Sequence, residues 1–349
     1  MYWLALILFS LSLLQAIVSR RASCAVRRAS ALLISMVIFS ASPAFLHAAG
    51  KLPEDLFSVS FPTEQDGWAC GRWGAILHTA DGGTTWVHQE SGTEYMLVSI
   101  HFVDALHGHA VGEEGLILST EDGGKSWQKQ TCPVDYFLMD VHFANASKGW
   151  IVAERTHILY TENGGETWQV QFSDQDFILK SVSFCDDLNG WAAGEYGYIY
   201  HTADGGASWQ KQAGYFVISQ ETDEVEGGTY LFDVVAVDPQ TAWAVGIDSY
   251  IVKTSDAGKT WQEMKAGIPK TPLFCVEADG VNTILIGGTA VFLASSDGGL
   301  TWKQPVFEPP MTYGWLYGID RIGKARFAAV GWEGGIYLNA SDKWYRASY

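Results

Sequence analysis

The chain has 349 residues, 48% of them hydrophobic, and a formal net charge of −17. That length and apolar content supply a large buried core, while a field of this sign repels nucleic acid and anionic lipid surfaces and excludes both as general electrostatic partners. Cys70, Cys132, Cys185 and Cys275 fall in separate segments with no C-x-x-C spacing, so neither a disulfide framework nor a zinc site is indicated.

Residues 1–49 differ from the rest. They carry Arg20, Arg21, Arg27 and Arg28, no acidic residue, and two apolar runs spanning 2–18 and 31–49. The second run follows a basic stretch and ends in His47-Ala48-Ala49, which reads as a signal peptide; the two runs together read alternatively as a hairpin membrane anchor. Without this segment the chain holds 18 basic and 39 acidic residues, a net charge of −21.

From residue 50 onward an eight-residue phrase recurs, Thr/Ser-x-Asp/Asn-x-Gly-x-Thr/Ser-Trp. Its copies are centred on Asp81, Asp122, Asn163, Asp204, Asp256 and Asp297, with a decayed copy at Asp342, at spacings of 41, 41, 41, 52, 41 and 45 residues. Between the boxes lie short apolar, β-branched and aromatic runs separated by glycine-rich turns, as in Leu97–Phe102, Gly108–Gly112 and Gly115–Thr120. Each repeat therefore predicts four antiparallel strands, here lettered A to D. One such sheet cannot bury both faces alone, so the units stack radially. Strand A starts near Leu56, Leu97, Leu138, Leu179, Phe232, Leu273 and Leu316, which predicts an all-β, seven-bladed β-propeller over residues 50–349. Its blades start near 55, 96, 137, 178, 231, 272 and 315. Each copy reads as complete from A to D, so the ring is expected to close by packing of blade 1 on blade 7. Residues 214–228, an insertion between blades 4 and 5, read as an exposed loop.

The box explains itself mechanically. It occupies the C–D turn, where an Asp or Asn side chain accepts hydrogen bonds from the turn's own backbone. Its glycines supply positive φ, and its Trp drops apolar surface between blades. Asp81, Asp122, Asn163, Asp204, Asp256, Asp297 and Asp342 are therefore structural rather than catalytic or metal-binding.

The frame resembles the Asp-box (bacterial neuraminidase repeat) propellers. It is most similar to the photosystem II stability/assembly factor family, through Gly67-Trp68-Ala69, Gly190-Trp191-Ala192-Ala193-Gly194 and Ala242-Trp243-Ala244-Val245-Gly246, each followed by its box. The resemblance implies an exported, non-enzymatic scaffold that binds a protein partner and assists assembly of a membrane protein complex. No cofactor and no metal are expected, and the chain is expected to be a monomer located in the periplasm, or in the thylakoid lumen of a photosynthetic host. Photosynthetic members use a basic patch, whereas this chain beyond residue 49 has only Arg72, Arg155, Arg321, Arg326 and Arg346. The alternative implied by the same repeat is a sialidase-like or xyloglucanase-like glycoside hydrolase. No Phe-Arg-Ile-Pro motif is present, and Glu113/Glu154 or Glu154/Glu195 would have to supply the two carboxylates.

Subtracting the repeat leaves candidates on the face that carries the B–C and D–A loops. Trp73 and Trp332 lie in the B–C loops of blades 1 and 7, and Trp315 enters strand A of blade 7, with Arg72 and Glu333 flanking them. These residues are expected to gather at the seam, either as a protein-binding hot spot or as a lock on ring closure. Tyr95, Tyr136, Phe177 and Tyr230 precede strand A and are expected to line the central mouth. Glu113, Glu114, Glu154, Glu195, Asp248 and Glu333 form an acidic arc that reads as a solvated face. His101 and His142, on adjacent inner strands, read as ordinary strand histidines.

Overall fold

The computed structural model describes residues 54–219, 225–311, 313–340 and 343–347. The expectations for residues 1–49 and for the box at Asp342 fall outside the described residues.

The innermost strands are Leu56–Ser60, Leu97–Phe102, Leu138–Phe143, Leu179–Phe184, Leu231–Asp238, Leu273–Asp279 and Leu316–Ile322, one for each of seven blades. Blade 2 is typical: Leu97–Phe102 pairs with Gly108–Gly112, then Ile117–Thr120, then Gln128–Lys129, each step antiparallel. In blade 5 the strand begins at Leu231, one residue before the expected Phe232, because Leu231 is the residue that drops into the core at 1% exposure. Residues 216–218 and 225–227 of the insertion form a two-stranded hairpin rather than a loop, anchored by Phe216 on Tyr196 at 4.7 Å and on Phe177 at 5.1 Å.

Aromatic stacking explains why the blades adhere. Trp68 of blade 1 stacks on Phe102 of blade 2 at 3.7 Å, and Phe102 meets the box tryptophan Trp127 edge-on at 5.9 Å. Trp150, Phe184 and Trp209 repeat the arrangement at 3.6 and 5.8 Å. Such offset and edge-to-face pairs add to the energy of simple burial.

Polar bridges complete the inner ring. Each innermost strand is the edge of its own sheet, so side chains of the neighbouring blade accept backbone N–H groups left over. The Ile100 and Phe102 N–H groups donate to the Ser58 and Ser60 hydroxyls at 3.2 and 3.0 Å. The Ser99 hydroxyl donates to Asp140 at 2.7 Å, and Asp140 accepts the Val182 N–H at 2.9 Å. Asp233 accepts from the Ser181 hydroxyl at 2.6 Å and from the Val276 N–H at 2.8 Å.

Five boxes are built alike. Asp81 Oδ1 accepts the Thr79 hydroxyl and the Thr85 N–H, both at 2.9 Å, and Oδ2 accepts the Thr85 hydroxyl at 2.7 Å. Asp122, Asp204, Asp256 and Asp297 do the same with their own Thr or Ser neighbours. These donors hold the half-buried Asp122 and Asp297 carboxyls down at about 2. Asn163 reproduces the pattern through Oδ1, which accepts from the Thr161 hydroxyl at 2.9 Å and the Thr167 N–H at 3.1 Å.

Among the described residues no strand is shared between blades 1 and 7. Leu56, Val59 and Phe61 of blade 1 share one core cluster with Ile322, Ala328, Val330 and Ile336 of blade 7. The outer strands of blades 6 and 7 depart from the regular plan. Blade 6 keeps three strands and a single bridge between Ala294 and Lys303; residues Val306–Glu308 then leave it to pair, in parallel, with Lys343–Arg346 of blade 7. The C-terminal strand thus lies between Ile336–Ala340 and Val306–Glu308.

Candidate partner-binding face

Hydrogen bonds fix which loops share a face. In blade 2 the B–C turn meets the D–A loop, with the Glu113 N–H donating to the Met96 carbonyl at 3.3 Å. The box meets the A–B loop, with the Gly123 N–H donating to the Leu106 carbonyl at 2.9 Å. The boxes and the B–C loops therefore occupy opposite faces.

Six of the B–C loops are single 3-10 turns, and blade 6 has a tighter turn. At the tip of each sits a non-glycine residue in the left-handed region: Trp73, Glu114, Arg155, Tyr196, Asp248, Ala290 and Glu333, with φ between 49° and 58°. Such a conformation costs an ordinary residue roughly 1–2 kcal/mol. Cross-loop hydrogen bonds hold it in place: the N–H groups of Gly115, Thr156 and Ser249, each just after a tip, donate to the carbonyls of Tyr136, Phe177 and Thr271 at 2.8, 2.6 and 2.7 Å. Tyr196 is covered by the hairpin through Phe216, and the other tips are exposed.

The acidic arc takes part in this framework. Glu113 Oε2 accepts the Met96 N–H at 2.9 Å, Glu154 the Phe137 N–H at 3.4 Å and Glu195 the Ile178 N–H at 2.9 Å. Each carboxylate thereby ties its B–C turn to the residue before the innermost strand. Burial pushes the Glu195 carboxyl up, against the pull of that N–H and of Lys180.

Not all of the expected seam cluster forms. Trp315 and Trp332 pack at 5.8 Å, and Tyr313, which sequence reasoning did not single out, closes on Trp332 at 5.2 Å. Trp73 makes no ring contact among the described residues and is 43% exposed, because its left-handed tip position carries the indole outward. Beneath them Asp55 joins the two ends of the ring: its Oδ2 lies 3.2 Å from Arg72 Nε, and its Oδ1 accepts the Glu333 N–H at 2.9 Å. Arg72 is thus a seam residue.

The four aromatics expected at the central mouth are spread around the face instead. Tyr95 is exposed. Tyr136 lies under the Arg155 guanidinium at 4.4 Å, and Phe177 packs on Tyr196 and Tyr198 at 5.0 Å. Only Tyr230 approaches the centre, through Phe232 at 5.0 Å.

The axis is surrounded by residues that sequence reasoning missed. In every blade the register of the innermost strand shifts just after its leading leucine. The residues skipped are Phe57, Val98, Met139, Lys180, Phe232, Phe274 and Tyr317, all of them half-buried. A bulge leaves one residue unpaired and re-aims its side chain, and here the re-aimed side chains meet as a collar. Phe232–Phe274, Phe274–Tyr317 and Tyr317–Phe57 stand 5.1, 4.9 and 5.2 Å apart. Deeper in the ring, His101 and His142 pack at 4.9 Å, and burial lowers both, His101 to about 4.

The photosynthesis system II assembly factor YCF48 family model matches residues 126–213 and 217–347, more than half of the chain. No curated protein matches the sequence. Among solved structures the chain is similar to a YCF48 bound to D1 peptide, at TM-score 0.68 and 18% identity over 83% of this chain and 93% of that one. YCF48 from Cyanidioschyzon merolae gives TM-score 0.66 at 18% identity, covering 82% and 95%. A GH74 enzyme of Niastella koreensis gives TM-score 0.65 at 16% identity, covering 84% of this chain and 54% of the enzyme. At these identities the structural likeness shows the fold alone, and the family rests on the sequence match. The chain belongs to the photosynthesis system II assembly factor YCF48 family.

Proposed function

We propose that the chain is an exported, non-enzymatic scaffold that holds a segment of a protein partner on its loop face while a membrane protein complex is assembled. Membership of an assembly-factor family carries this reading, and a relative of the same fold binds a D1 peptide. The exposed Trp73 and the half-buried Trp315–Trp332 pair point to the part of the face involved, since aromatic side chains beside an Arg favour protein contact. The net charge of −17 suits a neutral or basic segment. A periplasmic or thylakoid-lumen location, with residues 1–49 cleaved or retained as an anchor, and a monomeric state belong to the same proposal.

The glycoside-hydrolase alternative draws on the shared propeller. Against it, Glu113, Glu154 and Glu195 each have one oxygen engaged by a backbone N–H, an arrangement suited to structure. Titrating the chain with a fluorescent D1 peptide, and capturing complexes from solubilised membranes, tests the scaffold reading. Saturable binding that is lost in Trp73→Ala/Trp332→Ala with folding retained supports it. Glycan hydrolysis abolished by Glu154→Gln would overturn it.

A further inference from the structure

The collar around the axis has one charged member. Phe57, Phe232, Phe274 and Tyr317 form a continuous aromatic wall, Val98 and Met139 extend it, and Lys180 brings an ammonium into this otherwise uncharged ring. Lys180 Nζ has Met139 Sδ at 3.4 Å as its hydrogen-bond partner, a weak acceptor, and no carboxylate lies within ion-pair distance of it among the described residues. Desolvation outweighs the more distant attraction of Glu195, Asp140 and Glu154, so the lysine is held below its ordinary value. A desolvated ammonium without a strong acceptor is costly unless a ligand supplies one. The three ring spacings near 5 Å run through blades 5, 6, 7 and 1, and Lys180 holds the equivalent bulge of the adjoining blade 4.

We propose that this collar binds a monocarboxylate on an apolar stem, with the stem packed against Phe232, Phe274 and Tyr317 and the carboxylate accepting from Lys180 Nζ. One ammonium balances one negative charge. Glu195, Glu154 and Asp140 act at longer range to disfavour phosphate and other polyanions. The carboxylate arrives either on a free small acid or at the end of a polypeptide chain. This site does not depend on the scaffold reading, and its test uses neither a membrane complex nor Trp73.

The experiment is ligand-observed NMR titration of the full chain with 3-phenylpropanoate and with its neutral amide, 3-phenylpropanamide. The acid should bind at least about ten-fold tighter than the amide, the scale of one charge-assisted hydrogen bond in an apolar site. Lys180→Met should abolish that preference; the substitution copies Met139, which holds the equivalent bulge of blade 3, and circular dichroism checks the fold. Phe274→Ala should weaken both probes by a similar factor and leave their ratio intact. Inorganic phosphate should not compete. N-acetyl-Gly-Gly-Phe separates the sources: tighter binding than 3-phenylpropanoate assigns a chain terminus, weaker binding a free acid. Equal affinity for acid and amide in the unmodified chain, no binding of either, or a preference that survives Lys180→Met would overturn the proposal.

Discussion

The carboxylate of Asp320 in blade 7 accepts the backbone N–H of Phe61 in blade 1 at 2.5 Å, across the junction where the circle closes. Asp320→Ala would leave that N–H without its acceptor and is expected to cost about 1–3 kcal/mol. Burial raises the Asp320 carboxyl to about 6, above its unfolded value near ~4. The folded state therefore binds the extra proton between those values, so this group favours folding below about pH 4 and loses that contribution as pH rises through 6. Asp320→Asn should flatten this slope, and urea unfolding at pH 4.5 and 7.5 measures it.

The buried histidines act with the opposite sign. Burial lowers His109 to about 3 and His101 to about 4. Both are neutral in the folded state, and the unfolded chain takes up their protons as pH falls below 6.5. Their contribution is complete above 6.5 and is lost towards 4 and 3. His109 stacks on Phe143 at 4.2 Å, in the place where Trp68 and Trp150 stack on Phe102 and Phe184. His109→Trp is thus expected to fold at pH 7 and to lose less stability on acidification, by on the order of 3 kcal/mol. Melting curves at pH 7 and 4 give the comparison, and an unchanged slope would remove His109 as the source.

Asp122 and Asn163 hold their turns through equivalent oxygens. Asp122→Asn is therefore expected to lower Tm only slightly, whereas Asp122→Ala loses the acceptor for the Ser126 N–H and should lower it clearly. Donors that hold the carboxyl at about 2 favour folding above about pH 4, a contribution lost as pH falls through 2.

The seam tryptophans are expected to separate into two behaviours. Trp73→Ala should leave the unfolding free energy unchanged within about 0.5 kcal/mol, as for an exposed side chain away from the core. Trp332→Ala removes contacts to both Trp315 and Tyr313 and should destabilise by about 1–3 kcal/mol. Equal losses from the two variants would mean that Trp73 is also part of the closure.

The repeat was readable because each blade needs the same turn, and a turn of eight residues carries its chemistry in local sequence. Box, strand order and blade number follow from Asp81 to Asp297. The exchange of Val306–Glu308 into blade 7 is a choice between neighbouring sheets, made by long-range packing of Phe307 on Phe292, Tyr337 and Trp344. Only the wider 45-residue spacing before Asp342 hinted at it. The sequence groups Trp73 with Trp332 because both lie in B–C loops. In the folded chain Trp73 holds the tip of its turn and Trp332 the position before the tip, so the two indoles take different directions. The collar was hidden more deeply. Its residues sit inside apolar runs, and without knowledge of the bulges alternation places them against neighbouring blades. Lys180, alone among bulky apolar residues at that frame position, was the signal available.

The parallel pairing of Val306–Glu308 with Lys343–Arg346 governs how the molecule bears load. A force applied at the C-terminal end meets two ladders at once, one from each side of the last strand, and both must shear before the strand slides free. That force passes into blades 6 and 7 together. Tension from the other end falls on Leu56–Ser60, the innermost strand of blade 1, where yielding means breaking the circle. The last strand is thus gripped from both sides, whereas the innermost strand of blade 1 is gripped by one ladder and its core contacts.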